Sequence, residues 1–228
     1  MKYLRFAALA LLAACAPKDN NSDKKQAEQS PNLSDFLPKG YVLAEKIGGD
    51  LNNDGLEDVV LLIKATDSSQ VIQDEDRGTL DRNRRGIVVL FAKNGAYEAV
   101  VKNYDCFSSE NEDGGVYFPP ELSVEIKEGQ LHFHYAHGRY GYWQYSFRHE
   151  ASDFALAGYE ASENRGPIVQ RVVKLDFQNK KKLIRDNLNK DQEEGEEAFV
   201  DSTQDIALSK RLLLSEIKDF DTLDMSGY

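Results

Sequence analysis

Apolar positions along this chain fall into three patterns. Two short runs are continuous: VVLLI at residues 59–63 and IVVLFA at 87–92. Both are rich in β-branched side chains, which predicts strands buried on both faces. Elsewhere the apolar residues alternate with polar ones. LSVEIKEGQLHFHY (122–135), YGYWQYSFR (140–148), DFALAGY (153–159) and IVQRVVKLD (168–176) have the period of half-buried strands. Asn94-Gly95 and Glu128-Gly129 supply hairpin turns, and residues 41–47 and 97–102 add two further strands. Residues 180–185 read as a partner for 168–176. The third pattern, Leu208, Leu212, Leu213 and Ile217, has helical spacing, so residues 206–220 are expected to form a strand and then a short helix. Between these runs lie a long charged loop at 65–86, the Pro119-Pro120 interruption and an acidic, solvated loop at 189–199. No β-α alternation, Gly-rich phosphate loop or internal repeat is present. The expectation is a mainly β protein with a single antiparallel β-rich domain over residues 39–228, either a sandwich or a partial propeller-like sheet.

The first residues break from this pattern. MKYLRFAALALLAAC has Lys2 and Arg5, then an apolar core too short to span a bilayer as a helix, then small residues before Cys15. This resembles the bacterial lipobox. The resemblance implies a signal peptide at residues 1–14, cleavage before Cys15 and acylation of that cysteine. Several acyl chains on one residue anchor a protein stably without a transmembrane helix. Residues 15–38 would then form the lipidated N-terminus and a flexible tether, because almost nothing in them can be buried. Ala16 is not the Asp that resembles an inner-membrane retention signal. The expected address is therefore the outer membrane, on the periplasmic face or the cell surface.

The net charge of the 228-residue chain is -11. An acidic surface argues against nucleic acid and anionic lipid as partners and suits cations. With Cys15 acylated, Cys106 is left alone. It has no His, Lys or Arg within three residues to activate it and reads as a buried small side chain.

One segment concentrates candidate chemistry. GGDLNNDGLEDVVLLIK (48–64) places Asp50, Asn52, Asp54 and Asp58 at loop positions one, three, five and nine. Gly55 stands at the sixth position, and the carbonyl of Leu56 falls at the seventh. Calcium takes six to eight hard oxygens, and this spacing offers several of them. An EF-hand needs a Glu at position twelve, where this chain has Leu61, and a strand follows in place of a helix. The loop resembles instead the calcium loops of FG-GAP and VCBS-type repeats, in which D-x-[DN]-x-D-G-x-x-D runs directly into a buried strand. That resemblance covers the loop and, loosely, the hairpin up to Lys102. It implies a structural calcium ion and does not extend to a propeller. The alternative is an Asx-rich turn whose acids are solvated. A second resemblance, carried by GVYFPPELSVEI, YAHGRYGYW and SEIKDFDTLDM, is to exported lipoproteins of Bacteroides-like bacteria. It implies the address and no chemistry.

Two further clusters stay open. His132 and His134 share a strand face, as a metal pair or as ordinary half-exposed residues. Arg139, Tyr140, Tyr142 and Trp143 form a candidate ligand face, a glycan or peptide platform, against the alternative of core and cross-strand packing. On a strand, Tyr140, Tyr142 and Gln144 would share one face, with Trp143 and Tyr145 on the other. Arg82, Arg84 and Arg85 are expected to pair with local acids. No nucleophile elbow or triad is visible. Three functional readings follow: a calcium-stabilised envelope lipoprotein that binds or assembles with an envelope protein or glycan; an envelope enzyme acting on glycan through carboxylates that converge only on folding; or an accessory subunit of an envelope complex.

Overall fold

A computed structural model of the chain describes residues 32–112, 121–191, 196–207 and 210–228. The signal peptide, Cys15, most of the tether and Pro119-Pro120 lie outside them.

Thirteen antiparallel strands build the described residues. β1 (Tyr41–Gly49), β2 (Asp58–Ala65), β5 (Arg85–Lys93) and β6 (Ala96–Phe107) form a four-stranded sheet in that order. The hairpin of β3 (Val71–Asp74) and β4 (Gly78–Asp81) is inserted between β2 and β5 as a separate two-stranded ribbon. The next seven strands follow one another as a meander: β7 (Glu121–Lys127), β8 (Gln130–Ala136), β9 (Gly141–Glu150), β10 (Asp153–Arg165), β11 (Ile168–Asp176), β12 (Lys181–Asn187) and β13 (Phe199–Asp205).

The two large sheets share one core. Val60, Leu62, Ile87 and Val89 from the first sheet join Leu131, Phe133, Tyr145, Phe147 and Phe154 from the second. The C-terminal segment closes this core with Leu214, Ile217, Phe220 and Met225; the Phe220 ring stacks on Phe107 at 5.1 Å. The arrangement is that of a sandwich. The opposite face of β2 and β5 is also dry. Val59, Leu61, Ile63, Val88 and Leu90 are buried there, with Leu33, Phe36, Leu37, Tyr41 and Tyr104 against them. The continuous apolar runs therefore have the two-sided burial their composition predicted.

Several expectations need correction. Residues 32–38, read as the end of the tether, belong to the folded unit: Leu33–Phe36 forms a 3-10 turn capped by the Asn32 side chain and packs on β2 and β5. The charged stretch 65–86 contains the β3–β4 hairpin, which its polar composition hid. β13 was missed for the same reason, since every one of its residues is exposed. Residues 210–220 form no α-helix. Leu214–Glu216 is a single 3-10 turn and Leu213 makes an isolated bridge to Ala155.

Candidate metal loop and the outer sheet face

The loop between β1 and β2 is ordered by its own side chains. Asn53 and Gly55 both take positive φ, at 60° and 84°. Gly55, at the sixth loop position, thus makes a sharp bend where a Cβ would strain the backbone. Leu51 is buried in the core, and its neighbours Asp50 and Asn52 are half-buried. The Asp50 carboxylate accepts from the amides of Asp54 (3.3 Å) and Gly55 (2.9 Å). Asn52 Oδ1 accepts from the Asp54 amide at 2.9 Å, and Asp54 accepts from the Leu56 amide at 2.8 Å and from Asn52 Nδ2 at 3.0 Å. The Leu56 side chain is exposed, and the Asn53 amide group lies against Gly129 in the β7–β8 turn.

Asp58 is different in kind. It opens β2 and is 0% exposed. One carboxylate oxygen accepts from the Leu51 amide and the other from the Ala92 amide, each at 2.9 Å. The side chain therefore ties the loop to the far end of β5. Burial pushes its pKa up. The two amides pull it down, and the nearby charges of Asp54 and Asp50 push it up further. The nine residues from Asp50 to Asp58 contain no Lys, Arg or His. The hydrogen bonds that Asp50, Asp54 and Asp58 accept from the described residues come from N–H donors and leave lone pairs on the carboxylates unused. Asp50, Asn52 and Asp54 are thus tied into one loop by these bonds, while Asp58 turns inward to the Leu51 and Ala92 amides. Among the described residues, however, no three His, Cys, Asp or Glu side chains already converge as a metal-holding group.

The aromatic segment is split by the sheet. Tyr142 lies on the outer face, stacked on His134 with centroids 5.2 Å apart, and its hydroxyl donates to Glu160 at 2.5 Å. Trp143 turns to the inner face, stacked on Tyr135 at 5.4 Å and packed against the core. Arg139 and Tyr140 sit on the 3-10 turn Gly138–Tyr140 ahead of β9, so Tyr140 does not continue the Tyr142 face. The four residues do not form one platform.

The outer face holds instead a polar chain that sequence reading did not find. His132 Nδ1 lies 2.9 Å from Ser146 Oγ and 3.3 Å from Gln144 Nε2, and Gln144 Oε1 lies 3.4 Å from His134. Beyond Tyr142, Glu160 is paired with Lys174 at 2.8 Å. Burial opposes ionisation of Glu160, but Lys174 and Tyr142 outweigh it and hold its pKa below the usual value. Burial and the bond to Glu160 push the Tyr142 phenol up to about 12. The two histidines are thus engaged with Gln144 and Ser146. Cross-strand register is the signal that would have found this chain, and register is not visible in one strand's sequence.

The remaining candidates take structural places. Arg84 pairs with Asp219 at 3.3 Å and donates to the Asp105 carbonyl, while Arg85 donates to the Ser108 carbonyl. Cys106 is buried and unpaired, and burial pushes its thiol far above the range of a reactive cysteine. No protein-family model matches the chain, and no curated protein or solved structure matches it either.

Proposed function

We propose that this chain is a lipoprotein of the bacterial cell envelope, anchored by acylation of Cys15, whose β domain holds a structural calcium ion and works by binding. The address rests on the register of charge, apolar core, small residues and cysteine in residues 1–15. The ion rests on one observation: Asp58 is wholly buried beside Asp50 and Asp54, in a loop without a basic side chain. Asp50, Asn52, Asp54, Asp58 and the Leu56 carbonyl would hold the ion. Its charge would draw the carboxylates together and offset their repulsion. The amides that already orient Asp50 and Asp54 favour the same inward arrangement. The absence of a twelfth-position Glu favours modest affinity.

Two measurements test the two halves. Intact mass of the protein from its native envelope should carry diacylglycerol and acyl chains, lost in Cys15→Ser; an unlipidated wild-type N-terminus refutes the address. Thermal melting should give a lower midpoint in chelator than in calcium, with Asp54→Ala insensitive to both. Equal wild-type midpoints refute the ion.

A further inference from the structure

A second site lies away from the calcium loop and does not depend on it. β9 and β10 lose register between Leu156 and Gly158, and β11 pairs with β10 only from Gly158 onward. The edge of β10 at Ala155 and Leu156 is therefore left without a strand. The C-terminal segment fills it in part: the Leu156 amide donates to the Leu212 carbonyl at 2.9 Å, and Ala155 bridges to Leu213. Between that segment, the end of β9 and the β11–β12 turn, a cavity of about 460 Å³ remains. Its size is that of a small-molecule pocket.

The lining divides by chemistry. Leu156, Phe177 and Leu212 supply an apolar floor, extended by the Tyr228 ring, which meets Phe177 edge-on at 5.1 Å. Arg148, Lys180, Lys210 and Arg211 supply the rim, and Glu150 is the one acidic side chain lining the cavity among the described residues. Glu150 is taken by Arg211, and it reaches Arg148 only at 3.5 Å. Lys210 turns to Glu216, outside the cavity. Lys180 makes no ion pair among the described residues. With its amide oxygen turned inward, Gln178 accepts from the Arg148 guanidinium, the nearest nitrogen 2.6 Å away. That contact orients the fork without cancelling its charge. A rim of bases over an apolar floor, on a chain of net charge -11, concentrates positive potential in one concavity.

We propose that this cavity binds a small amphiphilic carboxylate: the acid group on Arg148 and Lys180, the hydrocarbon body on Leu156, Phe177 and Leu212. A guanidinium matches a carboxylate bidentately, and burying the hydrocarbon end gives affinity that a bare anion lacks.

The test is calorimetric titration of sodium octanoate into the full chain, beside octyl glucoside and inorganic phosphate. Octanoate should saturate one site and weaken with added salt. The other two should bind at least roughly tenfold more weakly, a difference of about 1.4 kcal/mol. Arg148→Gln with Lys180→Glu should cost octanoate roughly tenfold. Lys180→Glu alone, on an exposed turn, should still weaken it if the double variant fails to fold. Octyl glucoside binding as well as octanoate removes the charged rim from the account, and phosphate binding as well removes the apolar floor. Either result overturns the proposal, as does the lack of saturable octanoate binding or full affinity in a folded Lys180→Glu variant.

Discussion

Carboxylates in the seven-stranded sheet and carboxylates in the β1–β2 loop are held by different means. In the sheet, Glu160 faces Lys174, Asp186 faces Arg171, Asp201 faces Arg185 and Asp205 faces Lys181, each pair directly opposed across neighbouring strands. Their separations run from 2.6 to 2.8 Å. In the loop, Asp50, Asp54 and Asp58 face amide donors and one another. The sheet can supply bases because its outer surface is open and register fixes who stands opposite whom. The loop from Asp50 to Asp58 carries no base of its own. Its aspartates are met by amide N–H donors.

The most severe way to break this contrast is Asp58→Ala. It strips the Leu51 and Ala92 amides of their acceptor inside a closed site, at about 1–3 kcal/mol for each buried group left unsatisfied. The expected outcome is a loss of about 2–6 kcal/mol, read as a lower denaturant midpoint with unchanged slope. Next comes removal of the ion. With calcium at roughly 100 times its Kd, binding adds about 2.7 kcal/mol, and chelator should lower the melting midpoint by about 5–10 °C for a domain of this size. Asp54→Ala should abolish that difference.

A smaller effect belongs to a carboxylate held by a base outside the seven-stranded sheet. Lys64 bridges Asp81 at 2.9 Å and Glu110 at 2.8 Å, and its hydrogen bond holds the Asp81 pKa down at about 2. A depressed carboxylate lends stability above its ordinary value of 3.8, and that stability is lost as pH falls from there towards 2. Lys64→Met should flatten the acid-side loss measured in melts across that window. The smallest effect belongs to the exposed sheet pairs. Lys181→Ala should cost at most about 1 kcal/mol, and less in high salt.

Legibility in the sequence followed the same division. β2 and β5 were plain because continuous β-branched runs carry their own signal. The Asn94-Gly95 and Glu128-Gly129 turns were plain because all four residues take positive φ, as the hairpin chemistry requires. β13 was hidden because an exposed edge strand is specified by its neighbour, through Asp201 on Arg185 and Asp205 on Lys181. Leu212, Leu213 and Ile217 imitated a helix because similar spacing also suits an irregular segment that drops one side chain at a time into a core, as Leu214, Ile217 and Phe220 do here; Leu208 lies outside the described residues. In the candidate site, the bend at Gly55 was legible from its place in the loop. The inward clamp of Asp58 on the Ala92 amide was not, since that partner stands 34 residues away.

Calcium titration calorimetry on chelator-stripped full chain tests the central claim most directly. The expected result is one saturable site in the wild type, reduced at least roughly tenfold by Asp54→Ala and unaffected by Lys181→Ala. Absence of saturable binding in a folded wild-type chain, or equal binding by the Asp54→Ala variant, would contradict it.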